Sequence, residues 1–153
     1  MKQLFYEDIE VGSELPTLAK IATTAMLVKW AGATGAFDPL HYDEVYARAH
    51  GTGKPSIHGG LERAWLAQLM TDWIGKDGVL KKLACYYIKM DYPRHMKTSS
   101  EPEEGETWWC KGKVTTKYEQ NGEHYVECEI WVENGRRERI APGSATIILP
   151  SRK

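Results

Sequence analysis

Asp38, His41 and Asp43 lie close together on a loop shaped by Gly35 and Pro39, and His58 stands directly before Gly59 and Gly60. Carboxylates and an imidazole at such spacing are the groups that move protons. A loop histidine beside a bound carbonyl compound can act as a general acid–base. If Gly59 opens a helix, its free N–H is placed to hold a developing oxyanion. A glycine there lets a ligand approach the backbone closely. A plainer reading uses the same residues. Asp38 and Asp43 are good caps for turns and short helices, and His58 could be a hydrogen-bonded core histidine. Spacing alone leaves both open.

These residues need elements to hold them. Glu14 to Ala22 reads as a first strand. Thr23 or Thr24 is an N-cap for a helix over Ala25 to Ala33, and Asp43 caps a short helix from Glu44 to His50. Gly51-Thr52-Gly53-Lys54-Pro55 then breaks the chain. Gly60 to Ile74 is the clearest helix. Leu61, Ala64, Trp65, Ala67, Leu69, Trp73 and Ile74 leave it apolar nearly all round, so it is expected to be buried on most sides. Glu62, near its start, reads as a first-turn acid favoured by the helix dipole. Gly75 is a C-cap.

Four strands rich in Tyr, Trp, Val, Thr and Ile follow, over Val79 to Tyr92, Glu106 to Tyr118, Glu123 to Val132 and Glu138 to Leu149. Asn121-Gly122 supplies a hairpin turn with positive φ, and Asn134-Gly135 reads as a second turn of the same kind. Short connections make those strands antiparallel neighbours. One long buried helix and a run of such strands argue an α+β fold, with a curved sheet wrapped round the helix. The polar stretch Arg94 to Glu104 reads as a long loop. Its Arg94, His95 and Lys97 are read as a solvated basic cluster, with contact to ligand phosphates as the sharper alternative. Trp65, Trp73, Trp108, Trp109 and Trp131 read as core and interface aromatics.

The chain has 153 residues, the size of one ordinary domain, and its 42% apolar content supplies a core. With 20 basic and 21 acidic residues the net charge is -1, which gives no general attraction to nucleic acid or to an anionic membrane. Cys85, Cys110 and Cys128 are odd in number and widely spaced, without a CxxC pair. They read as thiols in a reducing compartment rather than a disulfide framework or zinc site. Residues 1–8 lack the apolar core of a signal peptide, and no run is long enough to span a bilayer. The cytoplasm is the expected setting.

The segment from Thr34-Gly35 through Pro39-Leu40-His41, Asp43, Ala47, Gly51 and His58-Gly59 resembles the signature of the MaoC-like (R)-specific enoyl-CoA hydratases and 3-hydroxyacyl-CoA dehydratases. That signature runs roughly S/T-G-D-x-N-P-I-H-x-D, with a later H-G. Weaker likenesses at Gly105-Glu106-Thr107 and at Gly143, Ala145 and Leu149-Pro150 extend it over most of the chain. The resemblance implies one hot-dog domain over residues 1–153, with an antiparallel sheet around a central helix. It implies an acyl-CoA ligand and hydration of a trans-2-enoyl-CoA, or the reverse dehydration, a lyase reaction. No metal or redox cofactor is implied, coenzyme A being part of the substrate. His41 would be the acid–base residue, Gly59 the oxyanion donor, and Asp38 would orient water or substrate. Pro39, Asp43, His58 and Gly60 would lie on the substrate-binding side. Such domains pair, so a homodimer or higher homo-oligomer is expected, with a hetero-oligomer as the alternative.

One departure bears on the chemistry: Ala36 stands where the signature has its catalytic Asp, and Asp38 where it has Asn. Alanine neither transfers a proton nor orients water, and losing such a group costs about 10²–10⁴-fold in rate. A deliberate replacement, a natural loss of catalysis with binding kept, and use of Asp38 with His41 in altered geometry all remain open. Two other functions stay beside the hydratase: a non-catalytic acyl-CoA-binding subunit of a hetero-oligomeric dehydratase, and an acyl-CoA thioesterase. The latter would need a carboxylate on or near the central helix, where Glu62 is the candidate.

Overall fold

In the computed structural model, which describes residues 3–93 and 107–152, a five-stranded antiparallel sheet curls around one long helix. The strands are β1 (Leu18–Lys20), β2 (Val79–Cys85), β3 (Trp108–Gln120), β4 (Glu123–Glu133) and β5 (Arg139–Leu149). They run in the order β1-β3-β4-β5-β2. The helices are α1 (Thr24–Thr34), α2 (Glu44–Ala49) and α3 (Gly59–Ile74).

Period-two patterning sets the sheet's inner face. Trp108, Cys110, Gly112 and Val114 of β3, with Val126, Cys128, Ile130 and Val132 of β4, are buried, while the residues between them are more open. Leu61, Trp65, Leu66, Leu69, Met70 and Ile74 of α3 fill the concave side. The helix touches β2, β3, β4 and β5, which is why it is apolar on so many faces. Irregular register at Leu80/Lys82, Val114/Thr116 and Val132/Glu133 supplies the bends that wrap the sheet. Cys85, Cys110 and Cys128 are free thiols. Burial pushes the Cys110 and Cys128 thiols up to about 12, so both act as small apolar residues.

Several expected boundaries move. The first strand is shorter than Glu14 to Ala22: only Leu18–Lys20 pairs continuously, and Glu14 makes a lone bridge to Lys113. Pro16 lies between them and has no N–H for the ladder. β2 ends at Cys85 rather than at Tyr92. The chain continues along β5, with Tyr86 N–H donating to Pro142 O (2.9 Å) and Ile88 N–H to Ile140 O (3.0 Å). Pro142 has no hydrogen to return, so the reciprocal bonds of a ladder stop there. The Asn121-Gly122 turn has the expected positive φ at both residues, 53° and 78°. The second turn is of a different kind. Its left-handed residue is Arg137 (φ 64°), while the Asn134 side chain accepts the N–H groups of Arg136 and Glu138. The loop cluster of Arg94, His95 and Lys97 and the strand start at Glu106 lie outside the described residues.

Candidate active site

The Asp38–Asp43 loop is built by its own caps. Asp38 Oδ1 accepts Leu40 N–H (2.9 Å) and starts a 3-10 turn over Pro39–His41; Asp43 Oδ1 accepts Tyr46 N–H (3.0 Å) and starts α2. Both carboxylates are exposed and engaged in these caps. The turn carries His41 inward. Its Nδ1 lies 2.9 Å from Ser56 O. A carbonyl oxygen only accepts, so Nδ1 bears the hydrogen and the neutral ring keeps its lone pair on Nε2, as a general base requires.

The extended segment before α3 fixes the second half. Ser56 N–H donates to Leu40 O (3.3 Å) and Ile57 N–H to Asp91 O (2.9 Å), clamping this segment between the His41 turn and the chain that follows β2. His58 is 3% exposed and stacks on His41 with ring centroids 3.8 Å apart. Its Nε2 lies 3.3 Å from Ala36 O, so Nε2 carries the hydrogen, and the buried Nδ1 has no hydrogen-bond partner among the described residues. Burial, and then the neighbouring His41, hold the His58 pKa below the usual histidine range, which favours the neutral ring. Position 36 thus abuts His58 through its backbone, and its methyl group is exposed.

His58 is also the residue before α3 and offers no side-chain cap. Its carbonyl accepts Leu61 N–H (2.9 Å) and Glu62 N–H (3.2 Å), leaving the Gly59 and Gly60 N–H groups without an acceptor among the described residues. The Tyr87 ring lies so close to Gly59 that a Cβ there would sit 2.8 Å from it. The Gly59 backbone therefore packs directly against this aromatic ring.

A cleft of about 320 Å³ joins these parts. Leu40, His41, Ser56, Gly59 and Glu62 form one side, and Tyr87, Ile88, Met90 and Asp91 the other. His41 and Gly59 thus share it, whereas Ala36, Asp38, Pro39, Asp43, His58 and Gly60 are not among its lining residues. Among the described residues, no group of three or more His, Cys, Asp or Glu could hold a metal ion.

Two acids line the cleft: Glu62, the helix carboxylate named above as a thioesterase candidate, and Asp91, which the sequence did not single out. Glu62 is in the first turn of α3, as expected, and is only 3% exposed. Burial, and then the charge of Asp91, push its carboxyl up to about 8, against the pull of the helix dipole. Asp91 is also buried. Its carboxylate accepts Trp108 Nε1–H (2.7 Å) and Tyr92 N–H (2.9 Å). The available signal was an acid one turn into a helix that is otherwise apolar nearly all round. Asp91 gives no such signal in a stretch that reads as a strand.

No family model matches the sequence, and no curated protein matches it significantly. Solved structures do. The R-hydratase PhaJ1 from Pseudomonas aeruginosa superposes with a TM-score of 0.80 at 20% identity, over 98% of this chain and 88% of that one. A MaoC-like dehydratase from Rhodospirillum rubrum gives 0.78 at 19% identity, over 98% and 99%. The ChsH1-ChsH2 complex from Mycobacterium tuberculosis gives 0.74 at 18% identity, over 92% and 98%. Sheet order, the enclosed helix and these superpositions agree: the chain is an α+β protein with the hot-dog fold shared by the MaoC-like dehydratases and R-hydratases.

Proposed function

We propose that this chain binds an acyl-CoA thioester and hydrates a trans-2-enoyl-CoA, or dehydrates the corresponding 3-hydroxyacyl-CoA. The observation that carries the reading is one cleft holding both a histidine with a bare Nε2 and a helix-start N–H without an acceptor. Hydration needs both. Water adds its oxygen to C3 while His41 Nε2 takes its proton; charge collects on the thioester oxygen, and a proton then reaches C2. The Gly59 N–H meets that oxygen, a contact of a kind worth about 10²–10³ in rate. A cleft of about 320 Å³ holds the reacting end of the acyl thioester, with the rest of coenzyme A outside. The free thiols fit a cytoplasmic setting.

A second copy of the chain fits the open side of this cleft. β2 is a sheet edge, and beyond it Tyr86 is 71% exposed, Ile88 58% and Met90 58%. An open edge flanked by apolar side chains favours pairing. Because Ile88 and Met90 also line the cleft, pairing there would lengthen it. A non-catalytic subunit is the second reading, favoured by Ala36; the ChsH1-ChsH2 complex offers a precedent of a two-component assembly on this fold.

Loss of enoyl-thioester absorbance from a panel of trans-2-enoyl-CoAs tests the proposal. His41→Gln should lower hydration by about 10²–10⁴-fold. A His41→Gln protein as active as the parent would refute the role given to this histidine.

A further inference from the structure

We infer that Glu62 is the second proton-transfer group of this site, supplying from α3 the carboxyl function that Ala36 lacks. The inference rests on the hydratase reading above. Three structural facts place Glu62 there. It lies on the same cleft as His41 and Gly59, three residues along the helix from the oxyanion donor. It is almost wholly buried, and it lines that cleft. Its carboxyl has no hydrogen-bond partner among the described residues, although structural buried acids are normally hydrogen-bonded, as Asp91 is.

The neighbours decide which role it takes. Asp91 and Tyr87 from the segment after β2 and Cys110 from β3 interact with it electrostatically, and Lys89 and His41 line the same cleft. With the Asp91 charge close by and little water, Glu62 carries its proton at neutral pH. It is therefore the acid and His41 the base. In hydration, water oxygen bonds to C3 and its proton passes to His41 Nε2. The C2=C3 electron pair moves to the C2–thioester enolate, and C2 then takes the proton of Glu62. His41 is left as imidazolium and Glu62 as carboxylate, and one proton returned from the first to the second restores both. Dehydration runs the same transfers backwards. The two groups act from different elements, so loop position 36 is not required.

The test compares the parent, Glu62→Gln, Ala36→Asp and the double variant on the enoyl-CoA panel, with affinity for a saturated acyl-CoA as a second readout. An active parent whose Glu62→Gln form loses about 10²–10⁴-fold in kcat, with saturated acyl-CoA affinity unchanged, is the expected result. Glu62→Gln within threefold of an active parent would overturn the inference and leave the hydratase reading intact. So would a parent silent on the panel while Ala36→Asp is active. Silence in all four chains would overturn both. Should Glu62→Gln fail to fold, the parent's pH profile decides. Hydration should fall as pH rises through about 8, where Glu62 loses its proton; a profile flat to pH ~10, well past that range, would count against it.

Discussion

At the residue scale, two acids carry opposite lessons. Asp38 is a catalytic candidate by position, and its Oδ1 caps the Pro39–His41 turn. Replacing it with Ala should cost about 1 kcal/mol, and Asn should recover most of that, because its side-chain oxygen accepts the same N–H. Urea denaturation of the two variants checks this; equal stability in both would mean that the cap contributes nothing. Glu62 is a first-turn acid that is buried, and its raised pKa makes stability depend on pH. Between its ordinary value near 4.5 and about 8, the folded chain holds a proton that the unfolded chain has lost. The parent should therefore lose stability as pH rises through that window, by up to a few kcal/mol, and level off above it. Glu62→Gln should lack this slope. His41 and both caps were legible because a short loop fixes their surroundings. The protonation of Glu62 was not, because it depends on burial and on Asp91, which comes from a distant stretch of chain.

At the element scale, alternation and turn residues made the sheet readable, and the all-round apolar character of α3 foretold that a sheet would enclose it. What failed was where pairing stops, because that depends on the partner strand. Tyr86 leaves the ladder because Pro142 happens to face it. The same pairing makes a sharp test at Gly143. A Cβ there would lie 2.2 Å from Ala84 O, a backbone atom of the paired strand. Gly143→Ala should force β2 and β5 apart and cost about 1–3 kcal/mol or more. Denaturation midpoints unchanged by this substitution would show that the strands are less closely paired than described.

At the scale of the whole molecule, the cleft sits beside an open sheet edge, so assembly and ligand binding should be linked. Ile88→Glu places a charge in the exposed apolar row beyond β2 and should shift the chain towards monomer by sedimentation, with weaker acyl-CoA binding. A variant as associated as the parent would place the contact elsewhere. Fold alone does not choose the reaction, since one scaffold hosts several chemistries. On the proposed reading, His41, Gly59 and a protonated Glu62 suit adding water across C2=C3 rather than cleaving the thioester, because an acid that holds its proton is a poor attacking group. Chromatographic analysis of the products from a trans-2-enoyl-CoA panel tests this most directly. The account predicts 3-hydroxyacyl-CoA with the thioester intact and no free thiol; release of coenzyme A without any 3-hydroxyacyl-CoA would contradict it.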